Sequence, residues 1–205
     1  MTEKIADKRV ARTKRVIRDA LTQLMEEKGF EGITVRDLTE KAQINRGTFY
    51  LHYRDKYDLL EQSEEEILKG IAAITENIDP VDAMAYTSND EPFPIILKLF
   101  EFFQEHAEFL KVILGANGNA SFQVKLKSFI KKIFYSKLVT KLNKEGIQVP
   151  VEILLAYLSS AHLGVVQHWL ETGMEKSPRE ITLILTKMTL LGPGYVAGLK
   201  PPIEK

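Results

Sequence analysis

The sequence predicts an all-α fold, and three observations lead there. Apolar residues recur every three to four positions along most of the chain, the spacing of one helix face. No window alternates apolar and polar residues between turn signals, as a half-buried strand requires. Capping residues, prolines and glycines fall where helices of that period would begin and end.

The elements follow in order. Val10, Ile17, Ala20, Leu21 and Leu24 share a face, so a first helix should run from about Asp7 to Lys28, with Gly29 as its terminating residue. Thr34 offers an N-cap hydroxyl three residues before Asp37, close to a capping box, and opens a helix of barely two turns over 35–42. Gln43-Ile44-Asn45 is a tight connection to a third short helix reaching about Tyr53. Asp55 then caps a fourth, with Asp58 at its third position, that extends to about Thr75. Helices this short are marginal in isolation, so the first four must bury one another.

Beyond Asn77 the texture changes. Asp79-Pro80 opens a short helix and 86–94 reads as a loop. Helices are expected from Pro94 to about His106 and from Ala107 to Leu114, with 115–120 as a turn. A long basic-faced helix should span 121–144, another Pro150 to about Thr172, and a last one 178–191. Gly192-Pro193-Gly194 stops it, and Pro201-Pro202 suggests an extended tail.

Composition narrows the function classes. Of the 205 residues 44% are hydrophobic, enough for a core, and there is no cysteine, which removes disulfides, thiolate chemistry and Cys-based zinc sites. The first residues lack the apolar stretch of a signal peptide, and a cytoplasmic location is expected. Net charge is zero, yet residues 1–57 hold thirteen Lys and Arg against nine Asp and Glu, while the remainder holds fifteen against nineteen. That asymmetry fits a polyanion partner and equally a solvated first helix. From Ile153 to Leu170 no charged residue occurs, the lower limit of a membrane span. Ser159, Ser160, His162, Gln167 and His168 interrupt it, which favours a helix buried on most faces.

The segment Asn-Arg-Gly-Thr-Phe-Tyr-Leu-His-Tyr-Arg-Asp-Lys, 45–56, carries the most specific chemistry. On a helical wheel Phe49, His52 and Tyr53 fall together, and Gly47, Tyr50 and Leu51 point the other way, flanked by Arg46 and Thr48. Phe49 and Tyr53 seat the helix on its neighbours. The opposite face suits a DNA major groove: Arg can fork onto guanine, Thr can meet a base edge or a thymine methyl, and Tyr can reach a phosphate. Gly47 permits close approach of the backbone.

From about Val10 to Leu60 the chain resembles the DNA-binding domain of the tetracycline-repressor (TetR) family of bacterial regulators. The resemblance lies in Gly-Phe-Glu-Gly-Ile-Thr-Val at 29–35, Asp-Leu-Thr-Glu-Lys-Ala at 37–42, and Thr-Phe-Tyr-Leu-His-Tyr-Arg-Asp-Lys at 48–56, then Asp58-Leu59-Leu60. It implies an N-terminal three-helix helix-turn-helix domain over 7–60, with the motif at about 34–53. It further implies a larger helical ligand-binding and dimerisation domain over 61–205. Carried across by position, it implies DNA contacts from Thr34 and Arg36, base-edge contacts from Arg46, Gly47 and Thr48, and phosphate contacts from Tyr50, His52 and Lys56. Leu51 departs from the usual aromatic and Tyr53 from the usual Phe. His52 keeps a second reading as an inward-packed ring. The implied protein is a repressor whose operator affinity a small molecule modulates, with no cofactor.

Eight of the ten Phe residues follow residue 57. Such stripes ordinarily build core. Under the alternative reading Phe100, Phe103 and Phe109, with Phe122, Phe129 and Tyr157 facing them, line an apolar ligand cavity. The uncharged helix from Pro150 places Tyr157, Ala161, Gly164 and His168 near one face, and a second subunit is the simplest cover for it. The resemblance implies a homodimer through 150–172 and 178–191; a central helix of a monomer is the alternative. Enzyme readings find no support: 115–120 lacks the Gly-Lys-Ser/Thr end of a phosphate loop, no Gly-x-Ser-x-Gly occurs, and no His has a metal-like partner at i+3 or i+4.

Overall fold

In the computed structural model α1 covers Thr2–Lys28, beginning ahead of the first apolar position of its stripe. The structure describes residues 2–79, 82–83, 85–86, 90–115, 118–139 and 147–199, without the side chains of 2–8 and 138. Pro80 of the expected helix start at Asp79-Pro80, the far end of the helix predicted to reach 144 and the Pro201-Pro202 tail therefore lie outside the described residues. Among those residues every regular element is helical.

After α1 come α2 (Val35–Lys41), α3 (Arg46–Tyr50) and α4 (Lys56–Thr75). Gly29 ends α1 at φ +72°, in the left-handed region that glycine reaches without strain. The α2 cap is a complete capping box: the Thr34 hydroxyl accepts from Asp37 N at 3.2 Å, and Thr34 N donates to the Asp37 carboxylate at 2.8 Å. Asp55 caps α4 by accepting from Tyr57 N and Asp58 N at 2.9 and 2.8 Å. The turn between α2 and α3 places Gln43 at φ +53°, and Ile44 N donates back to the Thr39 carbonyl at 3.0 Å. The helix expected to reach Tyr53 unwinds after Tyr50 into a turn.

The later helices are α5 (Pro94–Glu105), α6 (Ala107–Leu114), α7 (Ala120–Phe134), which passes into a π-helical turn at Tyr135–Val139, then α8 (Val151–Glu171), α9 (Pro178–Leu191) and the short α10 (Pro193–Val196). Ser177 and Glu180 form a second capping box at the start of α9. Gly192 ends that helix at φ +85°.

The chain divides into two compact units at boundaries other than 60/61. The first takes Met1–Lys69 together with Glu108–Asn119, and the second Gly70–Ala107 with Ala120–Lys205. In the first, Ile17, Leu21, Ile33, Leu38, Phe49 and Leu59 are almost wholly withdrawn from solvent. Phe109, Leu110 and Ile113 of α6 are buried with them, and Asn119 donates to Glu64 at 2.7 Å within the same unit. In the second unit α7 packs on α8 and α9 on α5, around Phe100, Phe122, Leu155, Leu158 and Trp169. Trp169 meets Phe100 edge-on at 5.2 Å and donates from Nε1 to the Lys176 carbonyl at 2.7 Å. Among the described residues no helix is long and apolar enough to cross a membrane, and α8 alternates buried positions such as Leu155, Leu158 and Leu163 with exposed ones such as Ile153, Tyr157 and Gly164.

Candidate functional site

Helix α3 is pinned from both ends. Asn45 is its N-cap: the carboxamide oxygen accepts from Thr48 N at 2.7 Å and from the Thr48 hydroxyl at 3.0 Å. The sequence reading passed over Asn45, although Asn is a favoured cap and Thr stands three residues on. A Cβ on Gly47 would lie 3.2 Å from that same carboxamide oxygen, so glycine here also keeps room for the cap. On the inner side Phe49 is fully buried and Tyr53 4% exposed, their rings 5.7 Å apart. Burial pushes the Tyr53 phenol up to about 12, with the Glu66 charge adding to the effect.

The outer side is open. Tyr50 is 57% exposed and Leu51 80%, with Arg46 and Gly47 also exposed. Among the described residues Arg46 has no ion-pair partner, whereas Arg36 donates to Glu40 at 2.7 Å and Arg54 reaches Asp58 at 3.4 Å. An exposed pair of that kind is weak, because solvent screens it, so Arg36 remains releasable. Thr34 is exposed, but its hydroxyl is engaged with Asp37; Lys28 also binds Asp37, at 2.9 Å. These bonds, led by the one from Lys28, hold the Asp37 carboxyl far below the usual range. His52 is half-buried.

Lys56 is the exception among the expected phosphate contacts. Its side chain is 13% exposed, and its ammonium donates to the carbonyl oxygens of Phe30 and Glu31 at 3.1 and 3.0 Å. It also stands over the Phe30 and Tyr57 rings at 4.8 and 5.2 Å. The cation is thus turned into the loop after α1 rather than offered to solvent. Part of the α1 basic charge is likewise paired internally: Arg18 bonds Glu66 at 3.0 Å and Lys28 bonds Asp37 at 2.9 Å.

The second unit encloses a cavity of about 310 Å³. Phe100 and Phe103 are on its wall, joined by Ile71 of α4, Ile130 and Phe134 of α7 and His162 of α8. The other expected aromatics lie elsewhere. Phe109 belongs to the first unit, and Phe122 is buried at the start of α7 ahead of the wall residues. Phe129 is turned off the stripe that presents Leu126, Ile130 and Ile133. Tyr157 is 50% exposed on the outer side of α8. The wall is apolar apart from Thr75, Lys137, His162, Thr186 and Thr189. His162 Nδ1 is 2.7 Å from the Leu158 carbonyl and its ring meets Phe134 edge-on at 4.8 Å. Burial lowers its pKa, and the bond to Leu158 opposes that shift only in part. The signal for it was in the sequence, as a polar residue on the inward side of an otherwise uncharged helix.

The outer side of α8 presents Ile153, Ala156, Tyr157, Ser160, Gly164 and His168, all exposed and at helical spacing. On α9, Ile184 and Leu191 are 39% and 44% exposed. A Cβ at Gly164 would meet nothing within 4 Å.

Comparison with known proteins agrees with this architecture. Residues 17–62 match the family model for bacterial regulatory proteins of the tetR family, and 90–190 match a transcriptional-regulator C-terminal region of the same family. An uncharacterized HTH-type transcriptional regulator, YxbF of Bacillus subtilis (strain 168), is 21% identical over 168 residues, 81% of this chain. The chain spans only 42% of that relative's length. A TetR transcriptional regulator from Streptococcus agalactiae 2603V superposes with a TM-score of 0.61 at 19% identity, over 91% of this chain and 98% of that one. The SmeT–triclosan complex gives 0.59 at 14% identity, over 94% and 99%. The two family models fall on the two halves of the chain, and the solved folds follow it over nearly its whole length. The chain belongs to the TetR family of bacterial transcriptional regulators.

Proposed function

We propose that the chain is a homodimeric repressor that reads operator DNA with α3 and is switched by a small apolar molecule held in the cavity of the second unit. The outward side of α3 carries this reading: Arg46 is exposed without an ion-pair partner, beside an exposed Gly47, Tyr50 and Leu51, while Phe49 and Tyr53 fix the helix from beneath. Arg46 would take guanine O6 and N7, Leu51 and the Thr48 methyl would meet thymine, and Tyr50 and Arg36 would hold phosphates. Thr34 and His52 flank that surface. Lys56 is left out of the contact set, because its ammonium is spent on backbone carbonyls.

The uncharged stripe on α8, with Ile184 and Leu191 of α9, supports a two-fold partner. Two α3 helices one DNA turn apart would then suit a pseudo-palindromic operator. A ligand that binds one conformer better than the other would shift DNA affinity by that difference. A structural relative in complex with triclosan supports an apolar effector here.

Mobility-shift titration against the DNA upstream of the chain's own gene tests the reading. Salt-sensitive, sequence-specific retardation is expected. Retardation that is equal on unrelated DNA of the same length would refute it.

A further inference from the structure

We infer that the effector is a neutral, largely apolar molecule carrying a hydroxyl that donates a hydrogen bond to Nε2 of His162, an inference resting on the cavity being the effector site. The wall lacks a proton at that point. Nδ1 of His162 faces the Leu158 carbonyl at 2.7 Å, and a carbonyl only accepts, so the ring proton sits on Nδ1 and Nε2 presents a lone pair. The atom opposite Nε2 is the Thr189 hydroxyl oxygen, at 3.3 Å. Its single proton goes to the Leu185 carbonyl, at the shorter distance of 2.7 Å. Two acceptors therefore confront each other inside an apolar chamber. Protonating the imidazole would fill the gap, but burial disfavours the cation.

A second polar group on the same helix is also unmatched. Thr182 and Thr189 each donate to the carbonyl four residues earlier at 2.7 Å, whereas the buried Thr186 hydroxyl has no partner among the described residues. Thr186 and Thr189 both reach the cavity. An incoming hydroxyl would thus be received by a patch of His162, Thr189 and Thr186, with the rest of the ligand against Leu99, Phe100 and Ile130. Lys137 is the one lysine or arginine on the described wall, and its ammonium already donates to the Glu76 carbonyl. A carboxylate would have only that one ammonium to pair with, and the rest of the wall leaves its burial uncompensated.

Trp169, the only tryptophan of the chain, touches the wall residue Phe100 and reports occupancy by fluorescence. The full-length protein is titrated with para-hexylphenol, its methyl ether and para-hexylbenzoate. The phenol should bind about tenfold more tightly than the ether, the worth of one buried hydrogen bond. His162→Phe should bring that ratio to about one while keeping the ether bound. The wild-type comparison needs no variant, so it stands even if His162→Phe folds poorly. Equal affinity for phenol and ether, tightest binding of the benzoate, or a preference that survives His162→Phe would overturn the inference. Failure of all three probes to bind overturns the effector cavity along with it. Phenol preference without any change in DNA affinity upholds the hydroxyl site and removes the ligand-responsive half of the proposed function.

Discussion

Lys56 and Phe30 are joined twice: the ammonium donates to the Phe30 carbonyl at 3.1 Å and stands 4.8 Å above the Phe30 ring. A third link, to the Glu31 carbonyl at 3.0 Å, closes the loop between α1 and α2 from the first turn of α4. The sequence places this lysine where a helix dipole disfavours it, and two backbone carbonyls supply the compensation.

Lys56→Met keeps the stem and removes the charge. It should lower unfolding stability by ~1–3 kcal/mol, since two hydrogen bonds from a charged donor are lost together with its contacts to the Phe30 and Tyr57 rings. The salt slope of DNA binding should not change, because no phosphate contact disappears. Denaturant unfolding and binding at several salt concentrations check both; a slope reduced by about one would return Lys56 to the interface.

Arg46→Ala should behave in the opposite way. Exposed and unpaired, the side chain contributes little to folding, so stability should stay within ~0.5 kcal/mol. Operator affinity should fall by ~1–3 kcal/mol, with relaxed preference at one base pair. Competition binding with single-substituted operators decides it, and a loss uniform over all sequences would reassign Arg46 to the phosphate backbone.

Gly164→Arg separates assembly from folding. Open space surrounds the missing Cβ, and replacing a mid-helix glycine should gain up to ~1 kcal/mol of helix stability in the single chain. A second α8 laid on the uncharged stripe would collide with the new side chain. Light scattering should then report the 23.3 kDa chain instead of a dimer. A variant that remains dimeric would exclude that stripe from the subunit contact.

His162 should make stability depend on pH. Its folded pKa lies below the ordinary 6.5, so below 6.5 the unfolded chain binds the proton first. Stability is complete above that value. It falls as pH drops, by at most about 1.4 kcal/mol per unit, until the lowered folded value is passed. His162→Phe should flatten the wild-type loss that sets in as pH falls below 6.5. Parallel curves for the two proteins in urea melts would refute the assignment.

What could be read from the sequence was local. The helix starts at Thr34, Asp55 and Pro178, and the split of Phe49 and Tyr53 from Tyr50 and Leu51, depend on neighbours within one turn. Helix ends and buried faces therefore emerged in place. The cavity did not, because it is assembled from α4, α5, α7, α8 and α9. An aromatic stripe identifies a buried face without saying what it faces. Phe100 and Phe109 look alike in sequence, yet α6 carries Phe109 into the first unit. Tyr157 was mistaken for a lining residue because helix α8 is apolar on both its inner and outer sides. The hydrogen bonds of Lys56 are not legible in the sequence, because the loop carbonyls it serves lie twenty-five and twenty-six residues earlier.

The Asn45 clasp and the buried Phe49 together fasten a helix only five residues long without a hydrogen bond from the side chains of Arg46, Tyr50 or Leu51. Specificity and folding are thereby uncoupled on one element. Substitutions at Arg46, Tyr50 and Leu51 can redirect such a regulator to a new address while its scaffold stays untouched, and a lineage duplicating this gene would diverge there first.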